Sequence, residues 1–456
     1  MKKEEYSRRG FIAAVTATTV AAAVSGPVPS LASNFGIINR RQGKLAILGG
    51  DPVRAKGRIG PAWPYVDQAV VDSVVETTKS RIWSRIQSRD GKVINFEKEF
   101  AKLIGSGYSV GTGSGTQALS TSVEALQLGP GDEVITSPYT DMGTISSILT
   151  SRALPVLVDL DPDSYQLDAA EVEKHINKNT KAIMPVHIFG LPAEMDRIMA
   201  LAQKHKLKVI EDACQAPLAR YQGKALGLIG DLGCFSFQAS KAIACGEGGA
   251  VVGNDQALMD RCYTVQNRGA SRAGKNELIG PKYRMNEFEA AVLLGQLPGV
   301  RERFRIRNEN ADHLSGRLKG FSGLVPQKRY SGTESGAYYH YGMTYHKEHW
   351  GVDRSVFLKA IAAEGVRLGS YIRNGLHREP WVDYILGLDG YRAMYSSDRL
   401  KEYKAGMHLP NCDRISDETM VSFGGSGPLL AGREEMDNIA NAIMKVYENR
   451  EQLKSI

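Results

Sequence analysis

Between residues 44 and 297 short apolar runs alternate with segments of helical period. The runs at 134–136, 154–160, 182–186, 208–210 and 234–237 predict strands, and the segments 169–176 and 194–205 predict helices between them. Strand–helix alternation of this kind implies βαβ units, so the expected fold class is α/β: a mostly parallel central sheet flanked by helices. Beyond a helical stretch at 300–318 the texture changes. A polar connection at 329–336 leads to an aromatic strand at 338–345 and a helix at 354–364, and an amphipathic helix at 433–453 follows. The pattern predicts an N-terminal arm with a large domain over 34–300 and a smaller α/β domain over 301–456.

Residues 1–33 stand outside that alternation and read as an export signal. A charged start is followed by an Ala/Thr-rich apolar stretch and a small-residue cleavage site at Ser30-Leu31-Ala32. The start contains Ser7-Arg8-Arg9-Gly10-Phe11-Ile12, which resembles the twin-arginine signal of bacteria. The expectation is a soluble periplasmic protein that crosses the membrane already folded.

Composition narrows the class. Of 456 residues 42% are apolar and 23% charged, as in ordinary globular proteins. The net charge of +7 is spread along the chain without a basic block, so nucleic acid is not an implied partner. Five cysteines without a CxxC pair suit neither a disulfide framework nor a zinc site, and no metal is expected. The absence of an apolar run of about 20 residues excludes a multi-span membrane protein.

Four clusters of polar and glycine residues fall near predicted strand ends, where open α/β sheets bind ligands. Gly111-Thr112-Gly113-Ser114-Gly115-Thr116 precedes a helix, a setting whose free N–H groups suit a phosphate. Glu211-Asp212-Ala213-Cys214-Gln215 puts a carboxylate at the mouth of a buried strand. Phe235-Ser236-Phe237 leads to Lys241 and then Gly246-Glu247-Gly248-Gly249. A lysine desolvated there is suited to imine chemistry with a carbonyl. Finally, Pro281-Lys282-Tyr283-Arg284 opens an apolar helix. Each cluster alone is equally a turn, a helix cap, a salt-bridged lysine or a solvated charge.

In this order and spacing the clusters resemble the DegT/StrS-type aminotransferases, pyridoxal-phosphate enzymes of fold type I acting on keto-sugars and keto-cyclitols. Gly49-Gly50-Asp51-Pro52-Val53-Arg54, Asn95-Phe96-Glu97-Lys98-Glu99-Phe100-Ala101 and Ser114-Gly115-Thr116-Gln117-Ala118-Leu119 extend the likeness. The resemblance implies that Lys241 carries the cofactor, pyridoxal 5'-phosphate, as a Schiff base and shuttles the proton. It implies Asp212 on the pyridinium nitrogen, Gln215 on the phenolic oxygen, and Gly115, Thr116 and Ser236 on the phosphate. Two positions depart from the pattern. Asp141 stands where the family usually has a ring-stacking aromatic, and Lys282 where it has an asparagine reaching the phosphate of the neighbouring subunit. His340 and His377 fall where the family lines its substrate side, and Trp83 and Arg85 where its entrance loop lies.

The expected activity is transfer of an amino group from glutamate or glutamine to a keto-sugar or keto-cyclitol, in a homodimer with shared sites. Two alternatives stay open at this stage. One is a pyridoxal-phosphate dehydratase, lyase or racemase, motivated by Asp141. The other is an exported binding protein that has lost turnover.

Overall fold

The computed structural model describes residues 44–456, so the expected signal at 1–33 lies outside the described residues. Seven strands build the main sheet: β1 (Tyr108–Thr112), β2 (Glu133–Thr136), β3 (Leu154–Leu157), β4 (Thr180–Met184), β5 (Lys208–Asp212), β6 (Leu232–Ser236) and β7 (Gly249–Gly253). They lie in the order β1-β7-β6-β5-β4-β2-β3. β7 runs antiparallel to both its neighbours, and the other six point the same way. Helices cover both faces, so β2, β3 and β7 are buried along their whole length; β3 and β7 carry unbroken apolar or small-residue runs, while β2 begins on the buried Glu133, which is ion-paired to Arg399.

β1 and β7 were not among the expected strands, because their glycines read as turns. The register Gly111↔Ala250 and Thr112↔Gly249 shows these glycines inside the ladder. Close packing requires one of them: a Cβ on Gly249 would stand 2.3 Å from the Ser114 carbonyl oxygen. The bare edge of β7 lets β1 and the loop after it lie against the sheet.

Chain reversals at the carboxyl ends of the parallel strands set up the site. β1 leads through Gly113 and Ser114 into α1 (Gly115–Ala125), where the Ser114 side chain accepts from the Gln117 N–H. β2 leads to α2 (Met142–Thr150), capped by the Asp141 side chain on the Gly143 N–H. Side-chain caps at these N-termini are each worth about 1 kcal/mol.

After α3 (Val300–Arg317) a three-stranded antiparallel sheet forms from β8 (Leu324–Pro326), β9 (His340–Tyr345) and β10 (Met420–Gly424). α3, α4 (Arg354–Ala363) and α5 (Arg433–Glu448) pack on it around Trp350, Phe357, Ile361, Ile439 and Ile443. The terminal helix is shorter than the pattern suggests and tightens into a 3-10 turn over Arg450–Ser455. The chain between β9 and β10 also returns to the main sheet: Val382, Ile385 and Tyr403 pack with Leu154, and the Tyr403 hydroxyl donates to the Pro155 carbonyl. Residues 44–456 thus form one compact unit with two sheet-bearing lobes.

Candidate active site

The carboxyl ends of β5 and β6, the start of α1 and the start of α2 converge on a cavity of about 420 Å³. Asp212 is the last residue of β5 and only 4% exposed. Its Oδ2 accepts from the Thr144 hydroxyl of α2 at 2.8 Å, and its Oδ1 accepts from the Cys214 N–H at 3.2 Å. A buried carboxylate held by hydrogen bonds, with no lysine or arginine ion-paired to it among the described residues, is suited to a cationic partner arriving from the cavity.

Lys241 stands in the turn between β6 and β7. Its Nζ lies over the Tyr339 ring, 4.2 Å from the centroid. The loop carrying it is tied down from outside the main sheet: the Trp63 indole N–H donates to the Lys241 carbonyl at 3.0 Å, and the Ser426 hydroxyl to the Ser240 carbonyl at 2.9 Å. The Tyr339 and Ser240 hydroxyls are 2.8 Å apart. Lysine and carboxylate therefore come from different strand ends, and each is positioned by its own set of contacts.

A third wall is suited to an anion. The first N–H groups of α1 have no partners within the helix, and the helix dipole adds positive potential there. Gly115 opens this helix beside Ser236, and a Cβ at Gly115 would sit 2.6 Å from Ser236 Cβ and 3.0 Å from Cys214 Sγ. Only glycine leaves that concavity open. Thr116 and Ser240 line it as well. Gln215 is buried; its Oε1 accepts from the Phe189 N–H at 2.7 Å and its Nε2 donates to the Tyr371 hydroxyl at 3.2 Å.

These features fit pyridoxal phosphate in kind and in placement. A buried carboxylate suits a ring nitrogen, a lysine on another strand end suits the aldehyde carbon, and a glycine-opened helix start suits the phosphate. When bound, the cofactor supplies a carbonyl for amine chemistry and a ring that accepts electrons. Asp212 would keep the ring nitrogen protonated, Lys241 would carry the proton at the reacting carbon, and the α1 start would anchor the phosphate.

Of the expected site residues, Gly115, Thr116, Asp141, Asp212, Gln215, Ser236 and Lys241 all line this cavity. Asp141 is exposed on its wall, with one carboxylate oxygen used to cap α2. Lys282 is exposed in a bridge with Asn267 and is not among the residues lining its own chain's cavity. His340 packs behind the lining rather than in it, stacked on Phe189 at 5.2 Å and 4.7 Å from the Tyr371 ring. Burial, reinforced by the Lys241 ammonium, pulls its imidazole down to about 3, so it is neutral at ordinary pH.

Arg85 and His377 lie away from the lining of their own chain's cavity. Arg85 is 4% exposed, ion-paired to Glu97 at 2.7 Å, donates to the Gly111 carbonyl and lies over the Tyr263 ring. It is an internal strut under β1 and does not line its own chain's cavity. His377 is buried against Asp413, with Nε2 3.0 Å from Oδ1, and burial lowers its pKa. It belongs to the packing between residues 376–413 and the main sheet. Trp83 is half exposed, packs on Phe288 at 5.7 Å, and does not line the cavity either.

Several participants had no place in the expected set: Thr144, Phe189, Ser240, Tyr339 and Tyr371. Tyr339 immediately precedes β9, beside His340, and is within reach of a strand-end argument. Tyr371 lies in a loop after α4, where no spacing marks it.

Known proteins resemble the chain over most of its length. The crystal structure of 3-amino-5-hydroxybenzoic acid synthase superposes with a TM-score of 0.73 at 29% identity, covering 86% of this chain and 99% of that one. The L-glutamine:scyllo-inosose aminotransferase of Streptomyces griseus is 34% identical over 424 residues, 89% of this chain and 98% of the relative. The L-glutamine:2-deoxy-scyllo-inosose aminotransferase of Streptoalloteichus tenebrarius is 32% identical over 433 residues, 90% of this chain and 99% of the relative. With the DegT/DnrJ/EryC1/StrS aminotransferase model matching residues 65–422, the chain belongs to that family of pyridoxal-phosphate-dependent aminotransferases.

Proposed function

We propose that the protein moves the amino group of glutamine or glutamate to the ketone of a cyclitol or sugar, with Lys241 and Asp212 as the catalytic residues. The observation that carries this reading is the meeting of Lys241, Asp212, Gln215 and the α1 start around one cavity. The choice of substrate class is supported by the near full-length likeness to two aminotransferases named for glutamine and inososes. Gly115, Thr116 and Ser236 would hold the phosphate, and Gln215 the phenolic oxygen. Amino-¹⁵N glutamine and scyllo-inosose, incubated with the loaded enzyme, should give a ¹⁵N-amino-cyclitol and the 2-oxo acid in equal amounts. Protein that binds the cofactor yet transfers no label to any ketose or inosose tried would overturn the reading.

The working form in this reading is a homodimer in which Lys282 reaches the partner's phosphate. Support comes from the exposure of Lys282 and its position outside its own cavity. A mixture of Lys241→Ala and Lys282→Ala proteins, each impaired alone, should regain activity, since a mixed dimer holds one complete site. Failure of the mixture to exceed its parents would remove the shared site.

Export to the periplasm by the twin-arginine route is the third part of the proposal, supported by Ser7-Arg8-Arg9-Gly10-Phe11-Ile12. Replacing both arginines by lysine should leave the full-length protein in the cytoplasmic fraction; unchanged periplasmic recovery would reject that route.

A further inference from the structure

One residue with an unusual backbone organises the small-lobe side of the cavity. Phe189 has φ 61° and ψ 8°, in the left-handed region that bulky side chains seldom occupy. It is fully buried in the 3-10 turn Ile188–Gly190, and such outliers persist only where their surroundings hold them. Four of its contacts run towards the cavity. Its N–H donates to Gln215 Oε1 at 2.7 Å, and its carbonyl accepts from the Tyr339 N–H at 2.9 Å. Its ring stacks on His340 at an interplanar angle of 28° and meets Tyr371 edge-on, at 5.3 Å and 78°.

Tyr371 closes the circuit. Its ring also packs edge-on to Tyr139 at 6.3 Å and to Tyr339 at 6.2 Å. Its hydroxyl accepts from Gln215 Nε2 at 3.2 Å. The Gln215 amide is therefore gripped at both ends, the oxygen by a main-chain donor and the nitrogen by a phenol. That pairing admits one orientation of the amide and uses one of its two N–H groups. Gln215 lines the cavity, which leaves the second N–H for a ligand.

We propose that Tyr371 is a positioning residue for the transfer reaction: by accepting from Gln215 opposite the Phe189 N–H, it locks the amide so that its free N–H stays turned to the phenolic oxygen of the bound cofactor. The inference rests on the assignment of Gln215 to that oxygen. A donor held on the phenolate stabilises the ionised form, so the lock lowers the pH at which the visible band of the bound cofactor titrates. Loss of the Tyr371 hydroxyl frees the amide to turn away, while the phenylalanine ring keeps the aromatic packing.

The test is a spectrophotometric pH titration of cofactor-loaded wild type, Y371F, Q215A and the double variant. Y371F should raise the midpoint by roughly 0.5–1 pH unit, the size of one hydrogen bond. Q215A should raise it at least as far, and the double variant should match Q215A, because Tyr371 acts only through the amide. A Y371F midpoint equal to that of the wild type, or a double variant that adds the two shifts, overturns the proposal. A Q215A midpoint equal to that of the wild type overturns the assignment of Gln215 itself, and the proposal with it. Both leave the label-transfer test of the overall reaction untouched.

Discussion

The cavity has two sides of different construction. On the main-sheet side each group stands at the end of a strand or the start of a helix: Asp212 ends β5, Lys241 follows β6 and Gly115 opens α1. On the small-lobe side Tyr339, His340 and Tyr371 are held by one another and by Phe189, through ring contacts of 4.6–6.2 Å. The first side gets its geometry from backbone connectivity and carries the groups that would do the chemistry. The second gets its geometry from packing between lobes and orients or screens those groups. Substitutions should therefore abolish function on the first side and tune it on the second.

The sharpest test of that contrast is Lys241→Ala. No other lysine lines the cavity among the described residues. The loss of amino transfer should be on the order of 10⁴-fold or more, as for other covalent-catalysis groups. Borohydride should no longer fix the cofactor to the protein, which peptide mass spectrometry reads directly. A residual rate within tenfold of the wild type would erase the distinction between the two sides.

Arg85→Leu separates stability from chemistry. Removing one partner of a buried ion pair leaves the other charge stranded, here Glu97, which also accepts from the Gly111 N–H at 2.6 Å. The expected cost is about 3–5 kcal/mol in chemical unfolding. At a temperature where the variant is folded, the KM for the acceptor should equal that of the wild type. A raised KM with unchanged stability would instead make Arg85 a substrate contact.

Gly115→Ala tests the phosphate wall. The added methyl meets Ser236 Cβ at 2.6 Å, so a side chain or the helix start must shift, at about 1–3 kcal/mol. Since the shift falls on the cradle, the Kd for pyridoxal phosphate should rise roughly 10- to 100-fold by fluorescence titration, a similar free energy. An unchanged Kd would show that the phosphate sits elsewhere.

The same division explains what was legible in the sequence. Asp212, Lys241, Ser236 and Gly115 are each bound to a strand or helix end within a few residues, and local pattern finds strand ends. Tyr371 and Phe189 depend on contacts with residues far away in the chain, which no local spacing encodes. The role of Arg85 as a strut is hidden for a related reason: its partner Glu97 stands on the buried face of the helix Lys92–Ile104, which packs beneath β1, and only the fold brings the two together. The glycines of β1 and β7 misled in the opposite sense, since close backbone approach and turns demand the same residue.

His340 gives the smallest and most specific contrast, because it belongs to the packed side and titrates. Burial, with help from the Lys241 ammonium, holds its folded-state pKa near about 3, against an ordinary value of 6.5. Between those values the unfolded chain binds a proton at this residue that the folded chain refuses. Stability must then fall on acidification through that window, at up to about 1.4 kcal/mol per pH unit. Well above pH 6.5 neither state is protonated there and the effect vanishes. Urea unfolding at pH 6.5 and pH 5 should show wild type losing about 1–2 kcal/mol more than His340→Gln, which keeps a polar group for Ser422 and has nothing to titrate. His377, lowered by burial against the pull of Asp413, is common to both proteins and cancels in the difference. Equal losses would mean that the Phe189–His340–Tyr371 packing opens to water readily. The small-lobe side would then be a mobile cover, and the lock on Gln215 would lose its physical basis.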